Sequence, residues 1–317
     1  MTVAPLSSRP IPPGATRATK DRMLIIFNPT AGRRRRRRLE QALAALCDRG
    51  LAAAVAETRH PGHATALARD AAGRGLRLVV AAGGDGTIAE VAAGLAGTAA
   101  GLGVLPLGTA NVLAWELGLP AAPAAAARVL AEGVPTLLRP GLARFGDGGQ
   151  RLFVQMLGAG FDAAVVARLD LGLKRRLGRG AYVLQGMREL GRYRFPRFTA
   201  VLDGVAEEVA SAIVSKGRLY AGRHLLAPAA RPGEAGFQVA LFRRGGPWSA
   251  GLYGATLPLD LLPRMPGVVL RQAMAVRLEP LPGGAVVPVQ ADGDPVGTLP
   301  VEVTDAPGPI LVLLPRR

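Results

Sequence analysis

Residues 78–91 read Leu78-Val79-Val80-Ala81-Ala82-Gly83-Gly84-Asp85-Gly86-Thr87-Ile88-Ala89-Glu90-Val91, and the fold turns on them. The apolar run Leu78–Ala82 reads as a buried strand. A glycine-rich turn follows, and a helix opens at Ile88. Strand, turn and helix in that order aim backbone N–H groups and the positive helix end at one point. Such a point suits phosphate, because glycines let the backbone come close. Asp85 among the glycines would repel phosphate unless a cation lies between them, or unless the carboxylate takes up a proton. The stretch points to phosphoryl transfer with a divalent metal.

Outward from it, strand and helix alternate. Met23–Phe27, Ala52–Glu57 and Gly103–Pro106 read as strands, and Leu39–Arg49, Ala64–Ala72, Val112–Leu117 and Ala122–Glu132 as helices. This pattern predicts an α/β domain with a doubly wound parallel sheet and ligands at the carboxyl ends of its strands. Near Gly146-Asp147-Gly148-Gly149 the texture changes to short strands with period-two alternation: Leu152–Leu157, Arg197–Leu202, Val209–Ser215, Phe237–Phe242, Met274–Leu278, Val286–Gln290, Val301–Val303 and Ile310–Leu314. Asp203-Gly204 marks a hairpin, and Tyr182–Leu190 a helix. The expected division is an arm at 1–20, a nucleotide-binding α/β domain at 21–145, and a mainly antiparallel β-sandwich domain at 146–317. The last segment of the chain is expected as a possible return to the first domain.

At 317 residues the chain is long enough for two cores, and with 4% aromatics these must rest on Ala, Val and Leu. The net charge of +16 implies attraction to polyanions. It is clustered in Arg33–Arg38 and in Lys174, Arg175, Arg176, Arg179, Arg188, Arg192, Arg194 and Arg197, against the single acid Glu189. An anionic membrane face fits these clusters. Nucleic acid does not: aromatics are few and no recognition module is present. The proline-rich start lacks the apolar core of a signal peptide, and glycines with Pro106 break up the uncharged stretch Val91–Trp115. The expectation is a cytoplasmic protein, transiently membrane-associated, with a homodimer as the candidate assembly. Cys47, Trp115 and Trp248 read as packing residues, and His63 as the start of a helix rather than a metal ligand with His60.

Two further loops fall at strand ends, Asn28-Pro29-Thr30-Ala31-Gly32 and Leu105-Pro106-Leu107-Gly108-Thr109-Ala110-Asn111. With Gly83–Thr87 and Glu90-Val91, they stand in the order and spacing of the diacylglycerol kinase catalytic-domain family, which the chain resembles. That family includes bacterial soluble lipid kinases and sphingosine and ceramide kinases, and is distantly similar to NAD kinases. The likeness extends to Thr58 with Gly62-His63-Ala64, to Gly158-Ala159-Gly160-Phe161-Asp162, to Ala221-Gly222 with Ala227-Pro228, and to Asp292-Gly293-Asp294.

The resemblance implies an NAD kinase-like first domain and ATP bound between the domains. Asn28, Pro29, Thr30, Ala31, Gly32, Thr58, Gly83, Gly84, Asp85, Gly86, Thr87, Glu90, Thr109 and Asn111 would form the nucleotide site. Asp85 would hold catalytic Mg²⁺ or help remove a proton, and Asp294 would be the general base acting on a lipid hydroxyl. Several positions depart from the family pattern. Ala89 replaces its Asn, Val112 its Asp, and Asp294 its Glu. The usual Asp-Asp-Gly metal loop reads Gly233-Glu234-Ala235, leaving Glu234 as the candidate ligand of a structural Mg²⁺. The alternatives are a kinase for a soluble acceptor and a non-catalytic module that binds anionic membranes.

Overall fold

The computed structural model describes residues 23–29, 33–170, 172–173, 178 and 180–316. The N-terminal arm, Thr30, Ala31, Gly32, Lys174, Arg175, Arg176 and Arg179 lie outside them. Strands β1 (Met23–Phe27), β2 (Ala53–Glu57), β3 (Leu78–Gly83), β4 (Gly101–Pro106), β5 (Val134–Leu138) and β20 (Ile310–Leu314) form one sheet in the order β2-β1-β3-β4-β20-β5. All are parallel except β5, which runs antiparallel to β20.

Period-two alternation along these strands divides the apolar residues between two faces. Leu24, Ile26, Val79 and Ala81 pack beneath α2 (His63–Gly73) and α3 (Asp85–Leu95). Met23, Ile25, Phe27, Val80 and Ala82 pack beneath α1 (Arg33–Cys47) and α5 (Pro123–Glu132). Helix α4 (Val112–Glu116) follows the loop after β4. Cys47 departs from the sequence reading: it is the last residue of α1 and exposed.

The remaining strands are β6 (Gly141–Phe145), β7 (Gln150–Phe153), β8 (Met156–Ala159), β9 (Phe198–Leu202), β10 (Val205–Val209), β11 (Ser211–Ser215), β12 (Leu219–Tyr220), β13 (His224–Leu225), β14 (Phe237–Phe242), β15 (Val268–Ala273), β16 (Val276–Pro280), β17 (Pro288–Ala291), β18 (Asp294–Thr298) and β19 (Val301–Asp305). They form two six-stranded sheets, β10-β9-β16-β19-β6-β7 and β15-β14-β11-β8-β17-β18, and a small β12-β13 ribbon. Val276, Leu278, Val301 and Val303 of one large sheet share a core with Leu157, Val214, Val239 and Val289 of the other, so the two pack as a sandwich. Helices α6 (Phe161–Ala167), α7 (Gly180–Leu190) and α8 (Pro247–Thr256) lie in the connections.

Two boundaries differ from the sequence reading. Gly141–Phe145 already pairs within the sandwich, ahead of the change in texture at Gly146. Leu152–Leu157, expected as one strand, is two strands in different sheets, β7 and β8, with the crossing at Val154-Gln155.

The segment around Glu234 is built on a buried ammonium. Lys216, fully enclosed after β11, donates to the carbonyl oxygens of Glu234 (2.9 Å) and Gly236 (2.8 Å) and to Asp305 Oδ1 (2.7 Å). Its ammonium also stands 4.8 Å from the centre of the Phe237 ring. Asp305 Oδ2 accepts the Gly236 N–H (2.8 Å). Burial pushes the lysine pKa down, and Asp305 opposes that shift. The main-chain carbonyl of Glu234 is thus a ligand of an internal ammonium. Lys216→Met should cost about 3–5 kcal/mol, because it leaves Asp305 without its charge partner, and should lower Tm by several degrees. A chelator should leave the Tm of the unaltered protein in place. A fall in Tm with chelator alone would show that a divalent ion holds this corner.

Candidate active site

The parallel sheet delivers three loops to one edge, and backbone contacts hold them together. Asn28 N–H donates to Ala82 O (3.1 Å), and Thr58 N–H to Phe27 O (2.9 Å). Both Leu107 and Gly108 donate to Gly83 O (2.9 Å each). Gly84 and Gly108 then meet almost backbone to backbone: a Cβ on Gly108 would lie 2.4 Å from Gly84 Cα. No residue with a side chain fits there. Side chains add two ties. Asn28 Nδ2 donates to Thr87 Oγ1 (3.3 Å), and Asn111 Nδ2 to Gly108 O (2.9 Å). Asn111 Oδ1 is buried with no partner among the described residues, and Thr109 is exposed at the rim.

Asp85 opens α3 without capping it. Its carboxylate instead faces the N-terminus of α4, where Leu113 N–H donates to Oδ1 (3.2 Å) and the N–H groups of Val112 and Asn111 add weaker support. Burial pushes its pKa up, and those N–H groups oppose the shift. A carboxylate held in this way by main-chain donors has a fixed direction.

The sandwich meets this edge at Asp294. Asp294, at the start of β18, comes so close to the glycine loop that a Cβ on Gly86 would lie 3.0 Å from Asp294 Oδ2. Arg151 Nη2 donates to the same Oδ2 (3.2 Å). The two domains are further joined by Glu116, which pairs with Arg218 Nε (3.0 Å) and accepts Leu219 N–H (2.8 Å). Val112 packs with Met156 and Ile213 across the same seam.

Beneath Asp294, the Asp292-Gly293 turn is built for bracing. Asp292 accepts N–H from Val154 (2.8 Å), Gln155 (2.9 Å) and Met156 (3.0 Å), and so fixes the crossing between β7 and β8. Burial raises its pKa to about 6 against those three bonds. Asp162 lies close by on α6, with Gln290 Nε2 (3.0 Å) and Tyr220 OH (3.4 Å) donating to its Oδ2. Burial raises its pKa to about 6 as well.

The geometry has parallels. The diacylglycerol kinase catalytic domain matches residues 22–141. A Pseudomonas aeruginosa PAO1 protein named "Probable lipid kinase YegS-like" is 32% identical over 222 residues, which is 67% of this chain and 69% of that one. The chain belongs to the diacylglycerol kinase-like lipid kinase family. A Mycobacterium tuberculosis protein named diacylglycerol kinase is 29% identical over 251 residues, 78% of this chain and 80% of that one. With a relative from Chromohalobacter salexigens the match is 37% but spans only about half of each chain (50% and 53%). A crystal structure of a diacylglycerol kinase from Bacillus anthracis shares the fold at a TM-score of 0.70 and 20% identity, over 93% of this chain and 97% of that one.

Against the expectations drawn from the diacylglycerol kinase family, Asn28, Gly83, Gly84, Asp85, Gly86, Thr87, Asn111 and Asp294 converge at the seam. Thr58 and Thr109 stand at its edges. The oxygens of Glu90 accept N–H from Gly62 (2.9 Å) and Ala64 (3.1 Å), so it caps the first turn of α2. His63 begins α2, as the sequence implied, and accepts Arg59 N–H at Nδ1 (3.1 Å). Arg36 pairs with Glu57 (2.7 Å), and Arg38 donates to Pro106 O (3.2 Å) and Ala121 O (2.6 Å). This part of the Arg33–Arg38 run therefore lies against the first domain. Arg151 carried no sequence signal as a site residue, and Asp292 carried one only as part of the Asp292-Gly293-Asp294 likeness.

Asp85→Asn keeps an oxygen for Leu113 N–H, so Tm should stay within a few degrees while turnover falls at least about 10²-fold. Near-normal turnover would confine Asp85 to holding α4.

Proposed function

We propose that the protein transfers the γ-phosphate of ATP to a hydroxyl of a lipid, such as a diacylglycerol or a related glycerolipid or sphingoid. The observation that carries this reading is the contact of Asp294 with Gly86, which puts a carboxylate of the sandwich beside a phosphate-type loop of the α/β domain. The residues present suit a nucleotide. The Gly84/Gly108 approach packs two loops without side chains against each other, and the buried Asn111 Oδ1 next to them is an acceptor with no partner among the described residues. Main-chain N–H groups at the start of α3 bind phosphate oxygens, and Asn28 with Thr87 fixes the adjoining wall.

Asp85 would hold Mg²⁺, which when bound would neutralise phosphate charge and steady the leaving group. Asp294 receives the proton of the acceptor hydroxyl at a carboxylate oxygen, and Arg151 fixes the direction of that carboxylate. Asp292 keeps the β7–β8 crossing rigid and thereby supports the hairpin that carries Asp294. Among the described residues no helix is long and apolar enough to cross a membrane, so a lipid acceptor has to be met at the bilayer surface.

Labelled ATP, Mg²⁺ and a panel of lipids in mixed micelles test the reading: one class of lipid hydroxyl should acquire the label. Transfer only to a water-soluble alcohol, or to none, would overturn it. Asp294→Ala should leave ATP affinity within a few fold and cut transfer at least about 10²-fold. Full activity in that variant would reduce the hairpin to a turn.

A further inference from the structure

The sequence reading made Trp248 a packing residue, and the structure leaves it 93% exposed. It begins α8, and Leu252 stands one helical turn further along, also exposed. The chain beyond α8 presents Leu259 and Leu261 to solvent on two short helical turns. Helix α8 packs against the end of α7, where Gly251 faces Leu190 Cδ1 at 3.7 Å from its would-be Cβ. On α7 the buried residues are Ala181, Gln185 and Glu189, at i, i+4 and i+8. Val183 and Met187 fall on the opposite face, 66% and 67% exposed. Two touching helices therefore each turn an apolar pair to water. Single exposed apolar side chains are ordinary, but exposed apolar pairs on two touching helices suit a docking surface.

The charges around the cluster identify the partner. Arg188, Arg192 and Arg194 on and after α7, and Arg244 and Arg264 flanking α8, are all exposed. The acids nearby are turned inward or engaged. Glu189 is buried and paired with Arg168 and Gln185, and the Asp260 carboxylate accepts Leu225 N–H (2.7 Å). An apolar face with tryptophan and leucine, near five exposed arginines and an Asp260 held by Leu225 N–H, complements an anionic bilayer. Trp sits at the headgroup level, leucine and methionine enter the acyl boundary, and arginine meets lipid phosphate.

We infer that α7 and α8 form a peripheral membrane-docking face whose apolar anchors are Trp248, Leu252, Val183 and Met187, and whose partner is an anionic lipid surface. The inference rests on the lipid-kinase reading for its purpose, since an acceptor within a bilayer requires the site to come to it. Its physical basis is independent of that reading. It also shifts the weight of membrane binding away from the Arg33–Arg38 run, where Arg36 and Arg38 are engaged with the first domain.

Trp115→Phe leaves Trp248 as the single tryptophan and so as a reporter. The full-length protein would be mixed, without ATP, with vesicles of phosphatidylcholine alone or with phosphatidylglycerol. With anionic vesicles, Trp248 emission should move to shorter wavelength, brominated acyl chains should quench it, and added salt should weaken the response. Trp248→Ser with Leu252→Ser, and separately Val183→Ser with Met187→Ser, should each weaken vesicle sedimentation by about 10-fold or more. Transfer to a short-chain, water-dispersed acceptor should change less than about twofold in both variants.

Unquenched Trp248 on protein that sediments with vesicles would overturn the proposal. So would a lipid-free shift that grows with protein concentration in step with dimer formation, which would make the face a self-association surface. If docking occurs as described but no lipid acquires phosphate, the docking face stands and the kinase reading fails.

Discussion

Backbone proximity at the carboxyl edge of the parallel sheet is the constraint on which the rest depends. Gly84 and Gly108 pass so close that neither loop could keep its path if a side chain stood at position 108. Two hydrogen bonds to Gly83 O reinforce the approach. Once the loops are fixed, the start of α3 faces outward with its N–H groups, Asp85 is left to turn toward α4, and Gly86 offers a surface without a side chain. Only such a surface lets the sandwich bring a carboxylate into contact with the loop.

The acids of the seam divide the work by their partners. Asp85 and Asp292 both accept main-chain N–H groups, one from the start of α4 and the other from the β7–β8 crossing. Both are raised in pKa by burial. Asp294 is the partly exposed member, steered by Arg151 rather than by backbone. Asp292 thus holds the frame, Asp85 is fixed in direction beside the glycine loop, and the accessible Asp294 faces that loop from the sandwich. The second domain settles its own charge in another way: the Lys216 ammonium is held by two carbonyls and Asp305.

The α/β half was legible because its signals are local. Period-two apolar strands, glycine turns and apolar helix faces read directly from Met23 to Glu132. In the sandwich, chain order and space diverge. β7 and β8 are neighbours in sequence yet enter different sheets, because the Asp292 carboxylate, far along the chain, gathers the N–H groups between them. The role of Glu90 was hidden for a similar reason, since its partners belong to the preceding helix. Trp248 and Cys47 read as packing residues because composition cannot say which face of a helix lacks a neighbour.

The central claim is that phosphate and acceptor meet between the Gly83–Thr87 loop and Asp294. A crystal structure with Mg²⁺ and a non-hydrolysable ATP analogue tests it most directly. The account predicts the terminal phosphate within about 3–4 Å of the N–H groups opening α3, on the side of the loop that faces Asp294, with Asp85 toward the metal. A nucleotide whose terminal phosphate lies on another sheet edge, or points away from Asp294, would contradict it.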